Sequence, residues 1–306
     1  MKPTDEKRIE LDVFKKAICL SVEIGALGSK RKVNASQVTV DADPKLINVS
    51  KTLLDSDELL AIKQLYTTVR QALYRVTLRP EIFRAGIYVL PLALVEETDP
   101  QLTDYQGQLK DLVERFLAKY DALKEQDRIR LRSCYQEKDY PAPARVREAF
   151  YLEWSYINFG VPENLPADIR EREIDKATGK VAQAAEQIQQ LLRVEMLDLV
   201  AHMADRLEPG AGGKPRVFRD TLVSNVKDFL AVFQARNLTN DAELEQLCAK
   251  AQLLLDGVDP QVLRDRTDLR SRVAAGFAEI KSQLDTMVVA DRPKRQIDLE
   301  DEDAAK

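Results

Sequence analysis

Apolar residues recur at every third and fourth position along most of this chain, and the longest such run, Asp168 to Leu207, organises the rest. Ile174, Ala177, Val181, Ala184, Ile188 and Leu191 form one line, and Leu192, Met196, Leu199, Met203 and Leu207 continue it one position over. This spacing predicts a single amphipathic helix. At 1.5 Å per residue it reaches about 60 Å, enough for more than one packing contact. The slip of the line near Leu191 predicts two contacts. Ala177, Ala184 and Ala185 admit a close neighbour in the first half, whereas Leu192, Met196, Leu199 and Met203 fill a wider gap in the second. The N-terminal module is expected on one half, and the C-terminal bundle or another chain on the other.

The same period marks further helices. Ser56 is placed to cap one that carries Leu59, Leu60, Ile62, Tyr66, Val69, Leu73 and Val76 and ends by Pro80. A second long helix runs from Pro100 through Leu102, Tyr105, Leu109, Leu112, Phe116, Tyr120 and Leu123. Its mixed threes and fours suit antiparallel packing against the preceding helix or the long one. A short helix, Ala144 to Phe150, follows Pro141 and Pro143. Beyond the breaker cluster Pro209 to Pro215, helices over Phe218 to Arg236, Ala242 to Leu255 and Pro260 to Val289 are joined by short turns, the pattern of a hairpin bundle.

Period two occurs near the start. Ile18, Leu20 and Val22 alternate with Cys19, Ser21 and Glu23, so Phe14 to Glu23 reads as a strand ending at Gly25-Ala26-Leu27-Gly28, with more β-like residues at Val38-Thr39-Val40. Ile82 to Leu94 is apolar but holds Gly86 and Pro91, and reads as a lid-like or hairpin connection with Phe83, Ile87 and Tyr88 inward. The aromatic segment 150–159 is apolar on both faces. It suits a buried strand or a helix end, and a strand paired with the N-terminal module is preferred.

These elements predict a mainly α protein: an elongated helical bundle with long antiparallel, coiled-coil-like helices and a small, partly β N-terminal module. The expected divisions are the module at 1–54, a long-helix domain at 55–208, a C-terminal helical bundle at 216–290 and a disordered charged tail at 291–306.

Composition agrees with helices. Hydrophobic residues make up 44% and charged residues 32%, with 11 glycines and 6% aromatics, which favours helices and short loops over a sandwich or barrel. Charge interrupts every apolar run before the roughly 20 residues that span a bilayer, and Met1 to Glu10 has no secretory pattern. A cytoplasmic protein without a membrane partner is expected. Cys19, Cys134 and Cys248 are far apart, which suits buried free thiols rather than a disulfide framework or zinc cluster, and no cofactor or metal is expected.

Candidate chemistry is sparse. His202 is the one histidine, so triads that need an imidazole rest on it alone, and a surface or helix-packing role is favoured. Gly210-Ala211-Gly212-Gly213-Lys214 departs from a phosphate loop because Pro215 follows the lysine and a helix precedes it. Asp168, Glu171, Glu173 and Asp175 alternate with Arg170, Arg172 and Lys176, a helix face laced with ion pairs in preference to a metal-dependent nuclease site. The rings around Trp154 lack interleaved cations and suit a core. Lys30-Arg31-Lys32 follows a glycine turn and offers contacts to phosphates or acidic partners.

The order of these features resembles a bacterial family of uncharacterised activity, domain of unknown function 3150, met in bacteria, plasmids and phages. The resemblance spans roughly Val13 to Leu207. It rests on Gly25 to Lys32, the helix from Ser56, Arg84-Ala85-Gly86-Ile87-Tyr88-Val89-Leu90-Pro91, Phe116 to Tyr120 and Phe150 to Trp154. It implies no reaction and no catalytic residues. It does imply a setting, because such genes lie beside those of MoxR-like AAA+ ATPases and von Willebrand A-domain proteins.

The expected function is therefore a non-enzymatic helical interaction or adaptor protein, oligomeric or bound to such an ATPase or A-domain protein. Apolar side chains left over from its own packing, Ile188, Leu192, Met196, Leu199 and Met203, are the candidate contacts, together with Lys30, Arg31 and Lys32. The alternative is a nucleic-acid-binding accessory protein of a phage or plasmid, using Lys30, Arg31 and Lys32 with Arg292, Lys294 and Arg295. A metal-dependent hydrolase ranks third.

Overall fold

A computed structural model describes residues 15–33, 48–78, 86–157, 164, 166–209 and 216–288. Within them the chain is mainly helical, with a small antiparallel sheet in its first half. It divides into two compact units, Met1–Ala182 and Gln183–Lys306.

In the first unit, strand β1 (Ala17–Gly25) runs two residues past the predicted Glu23. A hairpin of β2 (Lys30–Lys32) and β3 (Ser50–Thr52) follows. Strands β4 (Ile87–Pro91) and β5 (Tyr151–Ile157) flank β1, both antiparallel to it, in the order β4-β1-β5. The aromatic segment thus pairs with the N-terminal strand, as preferred from the sequence. The period-two pattern sets the register: Leu20 lies opposite Tyr88 and Val22 opposite Trp154. Leu20, Val22, Tyr88, Leu90 and Leu152 are buried in one core, with Trp154 against it. The other face is buried at the centre of the sheet too, where Cys19 lies opposite Val89.

The apolar piece before Leu94 is thus an edge strand rather than a lid or hairpin connection. Pro91 is tolerated because it closes an edge strand, where a missing N–H costs no inner ladder bond. Gly86, at φ +84°, turns the chain into that strand.

Helix α1 (Asp57–Val76) starts where predicted, with the Ser56 hydroxyl accepting from the Leu59 N–H at 3.2 Å. Helix α2 (Val95–Leu131) begins before Pro100, because a 3₁₀ turn at Leu92–Leu94 leads straight into it. Pro100 lacks the N–H that would have bonded the Glu96 carbonyl, and its ring crowds that carbonyl, so the cost falls near the start of the helix. The two helices pack antiparallel. Glu58 at the start of α1 pairs with Lys119, and the Leu54 N–H just before α1 reaches Asp127 Oδ2 at 2.7 Å. Leu59, Ile62, Tyr66, Val69 and Leu73 of α1 share a core with Leu102, Leu109, Val113, Phe116 and Tyr120 of α2. A short helix, α3 (Pro143–Ala149), opens on Pro143 and is held to α2 by Arg147, which grips Glu114 through two bonds of 2.8 and 2.9 Å.

The expected division at residue 54 falls inside this core, since Leu20, Val22, Leu53 and Leu54 belong to it together with α1 and α2. Below it a buried polar knot fastens the N-terminal segment. Lys51 pairs with Asp139 at 2.6 Å and donates to the Cys134 carbonyl, while Asp127 accepts from Leu54 N–H and, at 3.0 Å, from the Tyr140 hydroxyl.

Helix α4 (Ala167–Leu207) is the predicted long helix. Its residues from Gln183 onward belong to the second unit, with α5 (Thr221–Arg236), α6 (Ala242–Leu255), α7 (Pro260–Asp265) and α8 (Thr267–Met287). The helix predicted over Pro260 to Val289 is two helices, because Arg266 takes an extended conformation, φ −110° and ψ 98°. Polar links fix the directions. Arg193 reaches the Met287 carbonyl while Arg270 reaches those of Arg206 and Leu207, so α8 is antiparallel to α4. Arg236 meets Glu195 and Arg216 meets Asp205, so α5 is antiparallel as well. Lys227 reaches the Val258 carbonyl and Gln234 reaches Glu245, which sets α6 against α5. The result is an up-down-up-down bundle of four helices. It begins at the middle of α4, not at residue 216, because the residues of α4 from Gln183 onward belong to the same compact unit as α5 to α8.

Candidate interaction surfaces

The second half of α4 was expected to meet the C-terminal bundle or another chain, with Ile188, Leu192, Met196, Leu199 and Met203 as candidate contacts to a partner. Ile188, Leu192, Met196 and Met203 are instead fully buried, and Leu199 is half-buried. The buried positions are Ala184, Ile188, Leu192, Met196, Val200, Met203, Ala204 and Leu207, with Leu191 half-buried, so the line advances by fours from Ala184 to Val200 and broadens beyond it. Each step of four residues turns about 40° around the axis. The line therefore winds across different neighbours, and the bundle absorbs it. Periodicity marks an apolar stripe, but the chain's own helices and a foreign one cover it by the same chemistry.

Polar clamps lock this arrangement. Arg193 Nε donates to Asp241 Oδ2 at 2.6 Å and Nη2 to Oδ1 at 3.2 Å. Asp241 also caps α6, accepting from the Leu244 N–H at 3.1 Å. Burial pushes its carboxyl pKa up, but the Arg193 and Leu244 hydrogen bonds together outweigh this and hold it below the usual carboxylate range. Arg236, almost wholly buried, pairs with Glu195 at 2.7 Å and lies 5.8 Å from the centre of the Phe229 ring.

The first half of α4 differs. No described residue from Ala167 to Gln183 is buried, although Ile174 and Val181 lie on the same stripe as Ala184 and Ile188. Ile174 is 43% exposed.

Lys30, Arg31 and Lys32 form β2, and strand alternation splits them. Lys30 and Lys32 share the exposed face. Arg31 faces the other way and folds back onto the carbonyls of Gly28 and Lys30, each at 3.0 Å. Its cross-strand partner is the buried Lys51. The triplet is thus a pair of outward lysines and one half-buried guanidinium.

An open cleft of about 650 Å³ in the second unit was not foreseen; it joins α4 to the start of α5. Asp198, His202 and Arg206 line one wall, Arg219, Thr221 and Asn225 the other, over Leu199, Phe218 and Leu222. Its residues come from stretches separated in sequence, so no local motif announces it. His202 is exposed there, with neither a cysteine nor a serine among the lining residues. Phe218 is held between the guanidinium groups of Arg264 and Arg270, 5.0 and 5.4 Å from its centre. Burial pushes the thiols of Cys19 and Cys248 up to about 12, so neither supplies a thiolate at neutral pH.

Among the described residues no cluster of histidine, cysteine and carboxylate side chains is placed to hold a metal ion, and no helix is long and apolar enough to cross a membrane. Val38 to Val40, Phe83, Gly210 to Pro215, Arg292, Lys294 and Arg295, and the tail 291–306 lie outside the described residues. Comparison with protein-family models, with curated proteins and with solved structures finds no match.

Proposed function

We propose that this chain is a non-catalytic helical interaction protein that presents the first half of α4 to another helix. One observation supports this reading. The apolar stripe of α4 continues past the point where the bundle covers it, leaving Ile174 exposed on the same line as the buried Ile188. A leftover apolar face of this kind is covered by a partner helix.

The charges favour a second copy of the chain as that partner. Residues 168–175 hold Asp168, Glu171, Glu173 and Asp175 against Arg170 and Arg172, a net charge of −2, whereas residues 176–182 hold Lys176 and Lys180 and no acid, a net charge of +2. Two such segments side by side and antiparallel, in a coiled-coil-like pair, set acid against base at both ends. The family resemblance points to a MoxR-like AAA+ ATPase or a von Willebrand A-domain protein as a further partner, which would make the chain an adaptor in an ATPase assembly.

Static light scattering tests the reading. The wild-type chain is expected at twice the chain mass and Ile174→Glu at the monomer mass, with unchanged thermal unfolding. A wild type that is strictly monomeric and also retains no neighbour-encoded AAA+ ATPase in a pull-down would overturn it.

A further inference from the structure

We infer that the exposed face of α1, together with the outward lysines of the β2–β3 hairpin, binds the phosphate backbone of nucleic acid. From Leu59 to Val76, α1 carries Lys63, Arg70 and Arg75 and no acidic residue. One residue in six of the chain is acidic (51 of 306), so eighteen residues would ordinarily hold about three. The missing carboxylates leave this helix face with one sign of charge.

The side chains between the cations suit the same ligand. Lys63, Thr67, Arg70 and Tyr74 fall at i, i+4, i+7 and i+11, one row of the helix, and all are exposed. Gln64 and Gln71 flank that row and are exposed as well. Hydroxyls and amides of this kind share phosphate and sugar contacts with lysine and arginine. Lys63 and Arg70 stand about 10 Å apart along the axis, a span of about three nucleotides at 3.4 Å rise. Tyr74 is 42% exposed and offers a flat ring to an unpaired base. Leu60, 52% exposed, stands one turn before Lys63 on the same face, and it is the one large aliphatic side chain there among four polar or aromatic positions, too little for insertion into a lipid surface.

The row meets the hairpin at one end, where Lys63 Nζ donates to the Ser29 hydroxyl at 3.2 Å, beside Lys30. Among the described residues no carboxylate lies within ion-pair distance of Lys30, Lys32, Lys63, Arg70 or Arg75. Elsewhere in this unit Lys119, Lys124 and Arg147 are each matched to an acid. Cations without a carboxylate partner need no ion pair broken before they meet a phosphate. Arg31, half-buried, spends its guanidinium on the Gly28 and Lys30 carbonyls.

The test is fluorescence anisotropy of the full chain with a labelled single-stranded and a labelled duplex oligonucleotide, from low to moderate salt. Binding is expected to weaken linearly in log K against log salt, with Lys63→Glu/Arg70→Glu at least tenfold weaker at low salt and its slope shallower by about 0.7 to 0.9 per lost contact. Lys281→Glu, which alters a lysine paired with Asp285 on α8, serves as the control and should bind like the wild type. Circular dichroism checks that the exposed charge reversals leave the fold intact. Binding that is absent, insensitive to salt, or equal in the double variant would overturn the inference. Equal affinity for polyglutamate or for anionic lipid vesicles would overturn it too, by assigning the surface to acidic protein or to membrane.

Discussion

Arg193 on α4 grips Asp241, the residue that caps α6, through two nitrogens of its guanidinium. The Asp241 side chain is only 2% exposed, so the pair is a buried fork that also satisfies a helix end. Asp241→Asn keeps the cap but removes the charge. The expected cost is about 3 kcal/mol, the lower part of the range for breaking a buried pair, because Arg193 keeps the Met287 carbonyl and Glu243. The pH dependence follows from the lowered carboxyl pKa. A group held below its unfolded value of about 3.9 stabilises the fold above that pH and loses this contribution as pH falls through the folded value. Urea unfolding between pH 7 and pH 3 should therefore show wild-type stability dropping below about pH 4, with a shallower drop in Asp241→Asn. Equal slopes would contradict the assignment.

Gly25 closes β1 directly beneath the ring of Tyr151, its partner across the strands. A Cβ at this position would lie 2.1 Å from Tyr151 Cε1 and 2.3 Å from Cδ1. Alanine gains up to about 1 kcal/mol by restricting the unfolded chain, but the clash must displace the ring. Tyr151 is 39% exposed and can swing outward, so Gly25→Ala should destabilise by about 1 to 2 kcal/mol rather than abolish folding. The discriminating measurement is the double variant. Gly25→Ala/Tyr151→Ala should be more stable than the sum of the single effects, since removing the ring removes the clash.

These residues show what local sequence encodes. The Ser56 cap, the i, i+3, i+4 rows of α1 and α2 and the alternation of Ile18, Leu20 and Val22 are local signals, and each produced its element. Pairing of β5 with β1 followed from an apolar, aromatic segment too short for a helix. What stayed illegible was non-local. Pro91 reads as a breaker until an edge strand excuses its missing N–H. Ile188, Leu192, Met196 and Met203 form the same stripe whether α5, α6 and α8 or a second protein covers them. Lys30-Arg31-Lys32 reads as one basic run until pairing with Ser50–Thr52 turns Arg31 inward. The cleft around His202 and the acid-free row of α1 depend on which faces remain uncovered, which periodicity does not report.

Leu54 is held at φ +55°, in the left-handed region, while its N–H donates to Asp127 at 2.7 Å. A leucine pays about 1 to 2 kcal/mol for that conformation. Its side chain is 1% exposed, and truncation to alanine costs about 2 to 5 kcal/mol. Burial outweighs strain, so every truncation should destabilise. Leu54→Gly loses the side chain but relieves the strain, whereas Leu54→Ala loses the side chain and keeps it. The usual order should therefore invert, with the glycine variant equal to or more stable than the alanine variant by up to about 1 kcal/mol. Thermal melts of the two variants decide this. A clear advantage for alanine would mean that the backbone at 54 relaxes once the leucine is gone.

Met196 and Ile174 occupy the same stripe of one helix, yet only Met196 is fully buried. Met196→Ala opens a cavity in the four-helix bundle and should cost about 2 to 5 kcal/mol. Ile174→Ala removes a side chain that is 43% exposed and should stay within about 0.5 kcal/mol when unfolding is measured on the monomer in dilute solution. If α4 pairs through its first half, raising the protein concentration should stabilise the wild type and leave Ile174→Ala behind, because association stabilises the folded state by mass action. Met196→Ala should keep that concentration dependence at a lower melting temperature. Such a crossing of effects would separate the half of the helix that builds the bundle from the half that meets a partner; a concentration-independent wild type would place both halves in the monomer.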